Sequence, residues 1–327
     1  MNAHDVDFVV VGAGVGGLTA AIVAADAGLR VLVVERSERL GGVSGVSGGA
    51  VWVPLTRWSG NPDDSAAQAL AYLEFVAAGH GSTAHRARFV EAGPDAVHYL
   101  ADRAGVRWCP IEGHLDNYHP WAPGSVPNAR FLEVEPLPGA ELGEWQHRMQ
   151  RTSFFPPGLT FGEMRVPAAA PAPLGTLIAQ RAAEDARAGG EGLLAYLVKA
   201  AFVDRRIPVL TGTRADSLIT ERGRVVGVRL AGNVEISAPS GVLLATGGYD
   251  WNPDHQPEGS PGYGSCCPPT VTGDHLVMAG EIGAEITVLP PVGMHTQLGY
   301  HLPGERYEGR PLWRWALHET GQRHTIL

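Results

Sequence analysis

Two apolar runs stand out first. Phe8–Val11 (FVVV) and Val31–Val34 (VLVV) lack polar alternation, the mark of strands buried on both faces. Between them Leu18–Ala27 is rich in alanine and apolar residues and predicts a helix lying on a sheet. Gly28 follows as the left-handed residue that ends such a helix. Further on, Leu70, Leu73, Val76 and Ala77 recur at helical spacing within Asp64–Ala78, with Asn61-Pro62-Asp63 as a start signal. Two shorter helices are expected at Ala84–Ala92 and Pro94–Ala104, the second opening on its proline. Val106–Trp108 reads as a short strand, Thr176–Ala188 and Gly192–Arg205 as helices, and Pro208–Leu210 as a strand. The period then changes to two. Leu218–Thr220, Val225–Leu230 and Val234–Ile236 form an antiparallel meander, turning at Glu221-Arg222-Gly223 and Ala231-Gly232-Asn233. Gly241–Leu244 returns to a buried strand, and a helix starts near Asp274.

The turn between the first strand and helix is Gly12-Ala13-Gly14-Val15-Gly16-Gly17, the G-x-G-x-x-G pattern. Gly12 permits the tight turn, Gly14 lets backbone approach a pyrophosphate, and Gly17 lets the helix lie close on the strand. The free N–H groups and positive dipole end of the helix face phosphates. Glu35 ends the second strand, roughly 20 residues on, where an acid accepts hydrogen bonds from a ribose 2′-OH. Strand, glycine turn, helix, strand and acid together predict an adenine dinucleotide site; they leave NAD and FAD open. Arg36 and Ser37 continue the strand end. A glycine-serine tract follows from Gly41 to Gly49, with Gly42, Ser44, Ser47, Gly48 and Gly49. It reads either as a flexible linker or as backbone laid along a cofactor; its place beyond Glu35 and its apolar ending, Ala50–Val53, favour the cofactor.

Composition narrows the class. The chain has 327 residues, long enough for one large or two medium domains, and 44% are apolar, enough for a sizeable core. A net charge of −9 argues against nucleic acid as partner. Cys109, Cys266 and Cys267 make neither a disulfide framework nor a zinc pattern. The N-terminus carries acids without an apolar signal core, and no apolar run approaches the roughly 20 residues that span a bilayer. A reducing, cytoplasmic compartment is expected. His114, Asp116 and His119 lie in a Pro/Gly loop without metal-ligand spacing, so no metal is expected there.

The tract VVVGAGVGGLTAA, then VVER, then GGVSGVSGGAVWVP resembles the flavoprotein superfamily of fumarate reductase flavoprotein subunits and 3-ketosteroid dehydrogenases; the Trp52-Val53-Pro54 ending leans toward the ketosteroid Δ1-dehydrogenase branch. The resemblance implies FAD. It implies an α/β fold: a Rossmann-like FAD-binding domain with parallel sheet and inserted antiparallel β-meander over about 213–240, filling 1–250. The beginning of a substrate (cap) domain would follow over 251–327. It places Ala215 at the adenine, Ala245, Thr246 and Gly247 on the opposite side of the FAD, and Asp274 at the cofactor or domain junction. Here His275 stands where glycine is usual. Tyr118, in an Asp-Tyr loop followed by Pro-Gly and Arg130, matches a tyrosine on the substrate side of the flavin, against the plainer reading of a tyrosine packed on its loop.

The implied chemistry puts a C=C bond beside a ketone. A base removes the acidified C–H proton, hydride goes to flavin N5, and an external electron acceptor takes it on. Tyr118 contributes to that base, with Arg130 as neighbour, and the substrate is a hydrophobic small molecule, a steroid or other enone or ketone. Two alternatives stay open. One is a fumarate-reductase-like or enoate reductase, for which His295, His301, Arg306, Arg310 and Arg314 give no matching signature. The other is a non-catalytic FAD-binding remnant, because the superfamily's glycine-rich RF segment, further substrate-site residues and C-terminal return have no counterpart before Leu327. Exposed apolar surface is expected from that. Trp313 and Trp315 are expected as packing residues.

Overall fold

The structure is a computed structural model; it describes residues 6–151, 155–164, 173–255, 264–287, 299–307 and 309–315. In chain order the elements are β1 (Phe8–Val11), α1 (Val15–Asp26), β2 (Val31–Val34), α2 (Gly42–Val46), β3 (Val51–Trp52), α3 (Ala66–Ala77), α4 (Thr83–Ala104), β4 (Trp108–Pro110) and β5 (Phe131–Val134). Then come α5 (Phe161–Met164), α6 (Pro173–Ala183), α7 (Gly189–Val198), β6 (Val209–Leu210), β7 (Ala215–Glu221), β8 (Arg224–Leu230), β9 (Val234–Ser237), β10 (Gly241–Leu244) and α8 (Asp274–Glu281). The chain folds as two compact units: Met1–Val46 with Ile207–Leu327, and Ser47–Arg206. These compact units are divided differently from the expected boundary near 250, because the chain leaves the first unit after α2 and re-enters it at β6.

In the first unit β10, β1, β2 and β6 form a parallel sheet in that order, with Phe8 opposite both Gly241 and Val31. The apolar runs of β1 and β2 lie in the middle of it, as their lack of alternation requires. β7, β8 and β9 form the expected antiparallel meander. Val9, Val11, Leu32 and Val34 on one side of the parallel sheet pack with Val228, Leu230 and Ile236 of the meander and Met278 of α8. The ends of β1, β2, β7 and β10 are thereby fixed close to one another.

In the second unit β3, β5 and β4 make an antiparallel sheet. The two helices expected around Pro94 are one helix of 22 residues, capped by Ser82 and ended by Gly105 at φ 68°. Val90, Val97, Leu100 and Ala104 are buried on both sides of the proline, so one apolar stripe spans it. That burial outweighs the roughly 3 kcal/mol an interior proline costs. The strand expected at Val106–Trp108 begins at Trp108, since the Val106 N–H closes the helix end on Leu100 O. Ser65, not Asn61-Pro62-Asp63, caps α3 by accepting the Gln68 N–H. The helix expected at Thr176–Ala188 ends at Ala183, and Arg187 bridges to Leu137. The one expected from Gly192 begins at Gly189 and widens over Lys199–Asp204. Arg151–Pro173 was expected at the surface, yet Leu159 and Thr160 are buried; 152–154 and 165–172 lie outside the described residues. Trp313 packs on Gly264, where a Cβ would meet its ring at 2.0 Å. His295 and the Trp315 side chain lie outside the described residues.

Candidate cofactor site

Steric demands fix the glycine turn. Gly12 adopts φ 107°, and a Cβ there would lie 2.2 Å from the Ala245 carbonyl oxygen. A Cβ on Gly17 would lie 2.0 Å from the Gly12 oxygen. The turn is thus squeezed between β10 and its own helix, and only glycine fits at either position. Gly16 faces open space, and Gly14 caps α1 without a side-chain bond, with no acidic residue in the first turn. An anion meets helix N–H groups there without a competing carboxylate. Ser44 supplies one partner of its own: its Oγ accepts the Val15 N–H at 3.1 Å.

Glu35 ties the end of β2 to the turn. Its Oε2 accepts the Ala13 N–H and its Oε1 the Ser37 N–H, both at 2.9 Å. The residue is buried, and burial pushes its carboxyl pKa above the usual range while the two N–H bonds oppose that rise. Ser37 is a local cap, its Oγ accepting the Arg39 N–H. Arg36 points Nη1 at the Thr270 carbonyl, the Thr272 hydroxyl and both Asp274 oxygens, and Arg214 adds a bond to Asp274 at 3.2 Å. The Asp274 carboxylate is therefore neutralised by two guanidiniums.

These groups surround one cavity of about 310 Å³ in the first unit. Of the residues the sequence singled out, Gly12, Gly14, Val15, Gly16, Glu35, Arg36, Gly42 and Ser44 line it. So do Ala215, Ala245, Thr246, Gly247 and Asp274. Ala13 and Gly17 lie beneath it, holding the turn. Ser47, Gly48 and Gly49 belong to the second unit, and their glycines have a steric cause within it. A Cβ on Gly49 would lie 2.1 Å from the Gly189 carbonyl carbon, and the Ser47 oxygen accepts the Gly190 N–H. Two chain segments cross backbone to backbone there. Gly41 and Val43 of the glycine-serine tract also line the cavity, as do Val11, Val34, Thr213, Thr270 and Val271, which were not singled out. Gly41, at φ 115° beside Gly42, carried a local signal; Thr213, Thr270 and Val271 sit beside recognised positions and carried none.

Within the second unit Tyr118 is 62% exposed at φ 66°, its ring edge-on to Phe75. Beneath its loop, buried Asp116 accepts bonds from Trp52 Nε1 (2.7 Å), the Val126 N–H (3.0 Å) and Arg130 (2.7 Å). Arg130 is fully buried between Asp116 and Asp64. Two carboxylates thus balance the Arg130 guanidinium. Among the described residues no group of three or more His, Cys, Asp or Glu side chains is placed to hold a metal ion. Burial and nearby glutamates push the Cys109 thiol up to about 11. No helix among the described residues is long and apolar enough to cross a membrane.

The residues fit an adenine dinucleotide: a helix start with no acid in its first turn, a buried carboxylate at the adjoining strand end, and glycines at which a side chain would close the space. Comparison with known proteins agrees. The family model of FAD binding domains matches residues 7–301. A 4-oxocyclohexanecarboxylate 2-dehydrogenase of Sinomonas cyclohexanicum is 34% identical over 292 residues, covering 85% of this chain and 50% of that protein. A 3-oxosteroid 1-dehydrogenase of Mycolicibacterium smegmatis is 27% identical over 277 residues, covering 77% of this chain and 48% of that protein. The solved 3-ketosteroid Δ1-dehydrogenase of Sterolibacterium denitrificans, in complex with 1,4-androstadiene-3,17-dione, superposes with a TM-score of 0.83. It has 28% identity and covers 94% of this chain and 59% of that one. A flavocytochrome c3 fumarate reductase shares the fold at TM-score 0.58 and 21% identity. The chain spans about half the length of the curated relatives it matches. With its parallel sheet, inserted meander and glycine turn, the chain belongs to the FAD-binding domain family, and FAD is its cofactor.

Proposed function

We propose that this chain is the FAD-holding part of an oxidoreductase that introduces a C=C bond next to the carbonyl of a six-membered cyclic ketone. The observation that carries it is the single cavity on which the glycine turn, Glu35 and Ala245–Gly247 converge. The ring ketones in the names of the two dehydrogenases, 4-oxocyclohexanecarboxylate and 3-oxosteroid, support that substrate class. Bound FAD supplies the hydride acceptor; an external acceptor then takes the electrons. The residues of the chain do the rest. The start of α1 binds the diphosphate, Glu35 accepts from the ribose, and Ala215 lies along the adenine. The backbone of Ala245–Gly247 holds the cofactor's other side. Arg36 and Asp274 hold each other and brace the cavity wall.

Tyr118 is assigned to the substrate proton. Its Oη acts there as a proton relay. A reducing, cytoplasmic setting goes with this reading, Cys109, Cys266 and Cys267 standing outside any disulfide.

The test is turnover. With an artificial acceptor, the purified chain, or the longer protein containing it, is expected to dehydrogenate a 3-ketosteroid or 4-oxocyclohexanecarboxylate and to leave fumarate untouched when offered reduced viologen. Tyr118→Phe is expected to lower kcat by about 10²-fold or more, the usual range for a proton-transfer group. Fumarate reduction without ketone dehydrogenation would replace this reading with the reductase one. A flavin-loaded protein inert toward all three would leave it a binding protein.

A further inference from the structure

His275 occupies the first turn of α8 and places its Nδ1 2.9 Å from the Thr246 hydroxyl. Thr246 follows β10 and lines the cofactor cavity. The two segments are joined a second time, where the Gly273 N–H donates to the Gly248 carbonyl at 2.9 Å. Gly273 adopts φ 76°, which sets the angle at which α8 leaves this junction. The imidazole therefore approaches Thr246 along a fixed path.

A threonine hydroxyl has one proton and two lone pairs. If it donates its proton to a ring nitrogen, it offers only lone pairs to the cavity. If it accepts from a ring N–H, its own proton is left to donate. The ligand of this cavity carries a diphosphate and other acceptor oxygens, so the second arrangement is the one that binds.

We propose that His275 is a positioning residue for the cofactor: its Nδ1–H holds the Thr246 hydroxyl so that this hydroxyl donates a hydrogen bond to FAD. Asp274, the neighbour that would otherwise compete for such a donor, is already bonded to Arg36, Arg214 and Thr272. The inference rests on the cofactor reading of the cavity and adds to it a side chain that the glycine-turn motif does not include.

The experiment is a double-mutant cycle on FAD affinity, read by quenching of flavin fluorescence, with thermal midpoints recorded for each variant. His275→Ala and Thr246→Val are each expected to weaken FAD binding about tenfold, the scale of one hydrogen bond to a charged acceptor. The double variant is expected to be no weaker than either single one, since both remove the same bond. Thr246→Ser keeps the hydroxyl and is expected to keep wild-type affinity and its sensitivity to His275→Ala. A purely structural role would lower the midpoints and leave the two losses to multiply. FAD affinity unchanged in His275→Ala, or independent losses, overturns the inference while the cavity reading stands. A folded wild type that does not quench FAD overturns both.

Discussion

At the residue scale the glycines and Glu35 carry the account. Gly12 and Gly17 leave no room for a methyl group, so Gly12→Ala is expected to push the turn off Ala245 and cost several kcal/mol of stability as well as FAD binding, measured by denaturant unfolding with and without FAD. Glu35 gives a pH signature. Its pKa is raised in the folded chain by burial, so the folded state holds its proton more tightly than the unfolded one. Stability from this group is complete below the unfolded value of about 4.3 and is lost as pH rises through the higher folded value. The FAD-free midpoint of the wild type is therefore expected to carry a downward component above about pH 4.3 that Glu35→Gln lacks, and Glu35→Gln is expected to bind FAD more weakly. The steric reasons for Gly12 and Gly17 were legible because motif spacing encodes them, whereas the bonds of Glu35 to the Ala13 and Ser37 N–H groups were not. Ser44 was legible as a polar residue near the phosphates but not as an acceptor for the Val15 N–H. That bond depends on α2, which glycine and serine content does not reveal.

At the element scale the parallel strands were legible because the unbroken apolar runs of β1 and β2 are buried, and the meander because turn residues separate its strands. Pro94 was misleading for the opposite reason. Its local preference points to a break, while the stripe through Val90, Val97 and Leu100 decides for one helix. Glycines 48 and 49 were read for ligand approach, yet they also meet a crossing segment 140 residues away, Gly189 and Gly190, which no local pattern announces. The ion cluster under the Tyr118 loop has the same origin. Asp64, Asp116 and Arg130 are far apart in sequence and share one buried point. Arg130→Met would leave two buried carboxylates uncompensated, and a loss of roughly 3–5 kcal/mol in unfolding free energy is expected. Lysine is expected to recover part of it, because it restores charge without the two-pronged geometry.

At the scale of the whole molecule, function depends on one ligand bringing distant segments to a common purpose. The cavity wall takes residues from positions 11–44, 213–215, 245–247 and 270–274, so FAD binding and folding of the first unit are coupled. A ligand at 100 times its dissociation constant adds about 2.7 kcal/mol to stability, enough to raise the thermal midpoint by a few degrees. The substrate class is the part the chain's pattern reveals least, since Tyr118 is the one substrate-side residue proposed and its chemistry is shared by many reactions.

The most direct measurement is a calorimetric titration of the purified, folded chain with FAD, repeated in the presence of ADP and of FMN. One FAD per chain is expected, with competition by ADP, which carries the half proposed for the glycine turn and Glu35, and little competition by FMN. Absence of FAD binding by the folded chain, or displacement by FMN and not by ADP, would contradict this expectation.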